Sequence, residues 1–369
     1  MRTYTITRPA HLEGLERYEP GKPIEEVQRE MGLRRVIKLA SNENPLGPSP
    51  AALAAAHAAL TQCHRYPDGP GTLLRRALAR RHKVEPSQIV IGNGSTDLID
   101  LLTRAFLGPG DSAVIAQEGF ARFRQCVNAR NGGVRLVAMR DHTHDLMAMA
   151  RAVEERTRLV FVANPNNPTG TWNKRSELEA FLDALPGHGL LVLDEAYFDY
   201  ADHPDYPNGL DYVRGGAPVV VLRSFSKVFG LAGLRVGYAV AAPEVVEAID
   251  TVREPFNTNV VGHAAALAAI DDNGHLVRSL ELNRVEKAKL EEALITRGLP
   301  FLPSLANFLC VDVGQDGTEV WRRLLARGMI VRPLRPYGLN TWLRVSVGTP
   351  DENETFLEAL DAVLGPSRP

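Results

Sequence analysis

Arg223-Ser-Phe-Ser-Lys-Val-Phe-Gly-Leu-Ala-Gly-Leu-Arg-Val-Gly-Tyr238 follows Pro218-Val-Val-Val-Leu222, an apolar run of strand length. Lys227 is therefore expected just beyond the end of a buried strand. A lysine there, with hydroxyls at Ser224 and Ser226, glycines at 230 and 233 and a guanidinium at Arg235, suits one chemistry. Its amine can form a Schiff base with an aldehyde while the hydroxyls and the guanidinium hold a phosphate. Taken alone, a lysine in a loop is as readily a solvated surface residue.

Two further stretches shift the balance. Leu190-Leu-Val-Leu-Asp-Glu-Ala-Tyr197 is again a buried-strand run with a polar end, which sets Asp194 where an open α/β sheet meets a ligand crevice. A carboxylate there can pair with a protonated pyridine nitrogen, and Tyr197, three residues on, can donate its phenol proton to a ligand oxygen. Asn164-Pro-Asn-Asn-Pro-Thr-Gly170 follows the run Leu159–Ala163, and its two prolines stiffen the turn that carries Asn167. Each has a plain reading, a strand-end acid and an Asn-Pro turn. The ordered set of asparagine, aspartate and lysine makes coincidence a poor account.

These motifs resemble the fold-type I pyridoxal-phosphate enzymes, the aspartate aminotransferase superfamily. The run Ser224–Tyr238 is most similar to the histidinol-phosphate aminotransferase branch, and the similarity extends from Tyr18-Glu-Pro-Gly21 and Ser41-Asn-Glu-Asn-Pro-Leu-Gly47 to Leu343-Arg-Val-Ser-Val-Gly348. It implies an α/β fold with a mostly parallel central sheet in a large domain and a smaller α+β domain. The implied division is an N-terminal arm over 1–45, a cofactor-binding domain over 46–255 and a small domain over 256–369. It further implies a cytoplasmic homodimer with shared active sites and transamination of L-histidinol phosphate with 2-oxoglutarate, a step of histidine biosynthesis.

Residue by residue, the resemblance makes Lys227 the cofactor-bearing lysine and Asp194 the partner of the ring nitrogen. Asn167 and Tyr197 serve the ring oxygen, and Phe120 stacks on the pyridine. Ser95, Thr96, Ser224, Ser226 and Arg235 bind the phosphate, with Tyr66 arriving from the second subunit. Tyr18, Asn44, Arg332 and Arg344 face the substrates, and Arg344 takes a carboxylate from one and a phosphate from the other. Relatives often carry Pro-Thr-Tyr where this chain has Glu118-Gly-Phe120, so a role needing that hydroxyl has no residue here. Arg335 has no place in the pattern.

The residues alone say less about several of these positions. Tyr66 is an aromatic residue in the Pro- and Gly-rich loop Arg65–Gly71, Asn44 is as readily a turn asparagine, and a lone arginine is usually a surface ion partner. Ile89–Asp97 reads as strand, glycine turn and helix start, with Ser95 or Thr96 as the cap. That helix end can bind an anion through its N–H groups. Plain capping explains it equally, and the acid at Asp97 opposes a held anion. Asp141-His-Thr-His-Asp145 lacks further ligands at a metal spacing and reads as a solvated loop.

With 369 residues, 44% of them hydrophobic, the chain can form more than one core. A formal net charge of -2 points away from polyanions such as nucleic acid. Three scattered cysteines suggest reduced thiols, no apolar run approaches the ~20 residues of a membrane span, and no secretion signal opens the sequence. Within the same fold the residues also allow an aromatic amino acid aminotransferase or a phosphothreonine decarboxylase. A non-catalytic phosphate-ligand binder fits poorly with the intact asparagine, aspartate, tyrosine and lysine set. A nicotinamide oxidoreductase fits worse, because Gly92-Asn-Gly94 lacks the third glycine of that fingerprint.

Overall fold

The computed structural model of the protein describes residues 7, 9–13, 15 and 21–365, so Tyr18 lies outside the described residues. Seven strands build the larger sheet: β1 (Ile89–Gly92), β2 (Ser112–Ala116), β3 (Gly133–Val137), β4 (Thr157–Ala163), β5 (Leu190–Asp194), β6 (Val219–Ser224) and β7 (Gly237–Val240). Their order is β1-β7-β6-β5-β4-β2-β3. All neighbours from β6 to β3 are parallel, and β7 runs antiparallel to both β6 and β1. The sheet is mostly parallel, as the alternation of apolar runs and helical stretches predicts.

Both faces of the central strands are covered. Val160, Val162, Leu191, Leu193, Val219 and Val221 pack into one apolar cluster, while Leu159, Phe161, Val192, Val220 and Leu222 pack into another. Successive residues along a strand enter opposite layers, which is why these strands read as continuous apolar runs. Register pairs Ala163 with Asp194 and Asp194 with Leu222, so the polar ends of β4, β5 and β6 come out at one edge.

A second, antiparallel sheet holds β8 (Phe301–Leu302), β9 (Phe308–Asp312), β10 (Arg332–Pro333) and β11 (Trp342–Ser346), in the order β10-β11-β9-β8. It rests on its own core of Leu309, Val311, Leu343, Val345, Phe356 and Leu360. The N-terminal segment joins this part of the molecule: Ile37–Lys38 pairs in parallel with Met329–Ile330, and Ser346 N–H donates to Leu39 O at 2.8 Å.

Helices fasten the two cores together. Helix α1 (Pro50–Leu60) starts where Ser49 Oγ accepts the Ala52 N–H at 3.1 Å, with Pro50 in the first turn. Helix α2 (Ser95–Phe106) follows β1. Helix α3 (Val260–Asp271) buries Ala265, Ala266 and Ala269 in the larger-sheet core. Helix α4 (Asn273–Thr296) packs Leu276 and Leu280 on that core and Leu290 and Leu294 in the smaller one. The expected start of the small domain at residue 256 thus precedes α3, whose buried side belongs to the larger core. Among the described residues no helix is long and apolar enough to cross a membrane.

One expectation is corrected here. His144, read as part of a solvated loop, is 3% exposed, and its Nε2 lies 3.1 Å from Ala163 O at the end of β4. Burial pulls its pKa down to about 4, so the ring is neutral. The loop is a tie between elements, and Asp145 at its end caps the next helix through the Ala148 N–H.

A buried ion pair locks β5 to β6 next to Asp194. Arg223 Nε and Nη2 donate to Glu195 Oε2 at 3.0 and 2.7 Å, and Gly209 N–H donates to Glu195 Oε1 at 2.7 Å. Arg223 Nη2 also donates to Asn208 Oδ1, and the guanidinium lies 3.5 Å from the centre of the Phe198 ring. Removing one partner strands a charge in the interior, which costs about 3–5 kcal/mol. Urea titration of Arg223→Met should show a loss of that size, with part of it recovered in Glu195→Gln/Arg223→Met. A loss like that of a surface pair would show that the pair does not hold the strand ends.

Candidate active site

A cleft of about 260 Å³ opens where β4, β5 and β6 end beneath the smaller sheet. Its walls bring together Ser95, Thr96, Phe120, Asn167, Asp194, Tyr197, Ser224, Ser226, Lys227, Arg235, Arg332 and Arg344, twelve positions singled out from the sequence. Lys227 stands on the loop leaving β6. Its Nζ donates to Ser41 O at 3.2 Å and lies 5.5 Å from the centre of the Tyr197 ring. Burial lowers its pKa to about 8; Arg344 and Arg235 push the same way, while Glu43 and Asp194 oppose. Burial raises Asp194 to about 6, against a hydrogen bond from the Ala196 N–H at 3.0 Å and the attraction of Lys227. Removal from water thus brings the pKa values of both groups towards pH 7, although each is still mostly charged there.

On one side of the cleft two glycines let Arg235 and the start of α2 come close to the strand ends. Gly94 has φ 79° and a Cβ there would collide with the Arg235 guanidinium, while a Cβ at Gly237 would strike the Ser95 amide. Arg235 is held by hydrogen bonds from Nη1 to Ala232 O at 3.0 Å and Ser226 Oγ at 3.4 Å. Ser224 Oγ accepts the Ser226 N–H at 3.0 Å. Gly94, and neither Ser95 nor Thr96, is the residue capping α2. The two hydroxyl residues are its first helical residues, with N–H groups left unbonded by the helix. The Asp97 carboxylate turns back to accept the Asn93 N–H at 2.9 Å and the Asn257 amide at 2.7 Å.

Arginines supply the other side. Arg344 on β11 sits directly across from Arg332 on β10. Facing like charges are unfavourable by themselves, so the pairing suits a site completed by an anion. Arg344 donates from Nη1 to Asn167 Oδ1 and from Nη2 to Ala40 O at 2.6 Å, and its buried Nε has no partner. Asn167 is thereby tied to the smaller sheet as well as to the turn after β4.

Asn44, expected at the substrates, Tyr66, expected at a second subunit's phosphate, and Arg335, which had no place in the pattern, do not line the cleft. Asn44 does not face the cleft: Nδ2 donates to Val228 O and Ser279 Oγ at 2.7 and 2.9 Å, and Oδ1 accepts the Leu46 N–H at 3.0 Å. Its amide is consumed in tying the N-terminal segment to the Lys227 loop and to α4. Tyr66 is 81% exposed and stacked on Phe256, with ring centres 4.6 Å apart. Arg335 is exposed on a one-turn helix, Arg335–Tyr337, and does not line the cleft.

Asn42, which the sequence reading passed over, lines the cleft where Asn44 does not. It is 1% exposed, has φ 55°, and donates from Nδ2 to Tyr197 Oη at 2.8 Å. Ser346 Oγ donates to Asn42 Oδ1 at 3.1 Å, so Asn42 links Tyr197 to the smaller sheet. Glu43, beside it, also lines the cleft. The signal was the asparagine pair in Ser41-Asn-Glu-Asn44, but nothing in sequence spacing says which of the two turns inward. Among the described residues no cluster of three His, Cys, Asp or Glu residues could hold a metal ion.

Residues 34–360 match the family model described as aminotransferase class I and II. The chain is 48% identical over 355 residues to histidinol-phosphate aminotransferase 2 of Pseudomonas aeruginosa, covering 96% of both proteins. It is 48% identical to the histidinol-phosphate aminotransferase of Moorella thermoacetica, over 94% of this chain and 90% of that one. The crystal structure of histidinol-phosphate aminotransferase from Sinorhizobium meliloti in complex with pyridoxal-5'-phosphate superposes with a TM-score of 0.89, at 31% identity over 98% of each chain. The aspartate aminotransferase of Thermus thermophilus with maleate shares the fold, with a TM-score of 0.84 at 23% identity over 97% of this chain and 100% of that one. The chain belongs to the aminotransferase class I and II family.

Proposed function

We propose that the protein is a pyridoxal-phosphate-dependent aminotransferase that moves the amino group of L-histidinol phosphate to 2-oxoglutarate, giving imidazole acetol phosphate and L-glutamate. The observation that carries the reading is a single cleft lined by a lysine amine, a buried carboxylate, a glycine-opened anion cradle and a facing arginine pair. Near-full-length identity of 46–48% to proteins named for this reaction supports the same substrates.

The donor set fits pyridoxal phosphate. Ser95, Thr96, Ser224, Ser226 and Arg235 would hold its phosphate, Asp194 its ring nitrogen, Asn167 and Tyr197 its ring oxygen, and Phe120 one ring face. Bound there, the cofactor supplies an electron sink for the carbon that loses its proton. Asp194 keeps a cation beside it, since a lone carboxylate is disfavoured at that depth. Lys227, lowered to about 8, is close enough to neutrality to accept and return a proton at physiological pH. Arg344 and Arg332 clamp the phosphate of one substrate and a carboxylate of the other.

The same reading takes residues 46–255 as the cofactor-binding unit and assigns the enzyme to the cytoplasm. Its two copies pair so that the exposed Tyr66 of one reaches the phosphate cradle of the next.

Lys227→Ala should lower turnover by more than about 10³-fold while leaving the far-ultraviolet circular dichroism unchanged. Wild-type protein should be yellow, bleach with histidinol phosphate and regain colour with 2-oxoglutarate. Bleaching only with phenylalanine or tyrosine would replace the substrate assignment with an aromatic one.

Cofactor-free protein offers a pH test of the lysine. Acetylation of Lys227, followed by mass spectrometry, should be half-maximal near pH 8, against about 10.4 for surface lysines. Co-titration with the surface lysines would exclude a buried amine.

Asp194 gives the opposite sign. Its folded-state pKa of about 6 exceeds the unfolded value of 3.8, so the folded state holds the proton more tightly and stability falls between pH 4 and 6. In cofactor-free protein at pH 7, Asp194→Asn should be more stable by up to about 3 kcal/mol in urea titration and should lack that fall. Equal or lower stability would mean that the carboxylate already has a satisfied partner.

A further inference from the structure

Glu43 lines the cleft, and its Oε1 accepts a hydrogen bond from Lys38 Nζ at 2.9 Å. The two side chains are 44% and 20% exposed, so neither is locked inside the protein. Glu43 and Asp194 both oppose the fall in the Lys227 pKa. It is a negative group on the cleft wall, with the Lys38 ammonium bonded to it.

The proposed reaction, on which this inference rests, poses a recognition problem that fixed arginines cannot solve. Both substrates bring an anion to Arg344 and Arg332, but their other ends differ in sign. One carries an imidazole ring with an N–H to donate, the other a carboxylate that needs a donor. A site with only an acid would repel the second, and one with only a cation would leave the first unpaired. We propose that Glu43 and Lys38 read the variable end of both substrates, Glu43 accepting from the imidazole N–H and Lys38 donating to the distal carboxylate when that substrate is bound. A partly exposed ion pair adds little to stability, so it can part and re-form at each exchange. The buried Glu195–Arg223 pair could not do this without leaving a charge stranded.

Single-turnover absorbance changes, recorded for each half-reaction separately with the holoenzyme, test the assignment. Glu43→Gln should weaken the apparent dissociation constant for histidinol phosphate about tenfold and leave that for 2-oxoglutarate within about twofold. Lys38→Met should do the reverse, and Glu43→Asp should restore part of the histidinol phosphate affinity. Parallel shifts for both substrates in either variant, or no shift in both variants, would overturn the proposal. Wild-type protein that fails to turn over histidinol phosphate with 2-oxoglutarate would instead sink the function beneath it, and that measurement needs no variant.

Discussion

The ends of three parallel strands have to arrive at one edge in fixed register, and a buried ion pair enforces this. Glu195 and Arg223 flank the point where Asp194 and Ser224 leave the sheet, and their contact ties β5 to β6 below the cleft. Hydrophobic burial along Val192, Leu193, Val220 and Val221 supplies the bulk of the attraction but is tolerant of sliding. Charge-assisted hydrogen bonds are directional, so the pair turns a greasy contact into a defined position for the groups above it. The interior polar network behind it, including His82 Nε2 at 2.8 Å from Tyr238 Oη, extends the same logic to β7.

Above that edge the cleft depends on residues shared between the two sheets. Asn167 belongs to the turn after β4 yet accepts from Arg344 of the smaller sheet, and Asn42 bridges Tyr197 and Ser346. Groups suited to an anion therefore come from two directions, backbone N–H groups and Arg235 from the larger sheet and the arginine pair from the smaller. In the proposed function a ligand with charged groups at separate ends would be held by both, with its middle at Lys227.

Much of this was legible because the central strands are buried on both faces and so write themselves as unbroken apolar runs. Lys227, Asp194 and Asn167 each follow such a run directly, and strand ends are where an open sheet presents chemistry. The arginines of β10 and β11 were legible through likeness of motif, since nothing local marks Arg344 as inward and Arg335 as outward. Segments without period were harder. In Ser41–Asn44 the choice between Asn42 and Asn44 turns on a left-handed backbone at residue 42, a tertiary matter. The cap of α2 was misplaced because hydroxyl residues are common caps, whereas the tight approach of Arg235 requires a glycine at 94. His144 looked solvated because its neighbours are polar; only the neighbouring end of β4 makes it an interior residue.

Helix α4 has a consequence of a different kind. At 24 residues it is about 36 Å long, and it lends Leu276 and Leu280 to one core and Leu290 and Leu294 to the other. Neither core is complete until this helix has formed along its whole length. Assembly is therefore coupled end to end, and a nick between residues 273 and 296 would expose apolar faces on both parts at once. Two centres of packing thus share one helix, which runs from the core beneath the cleft to the core above it.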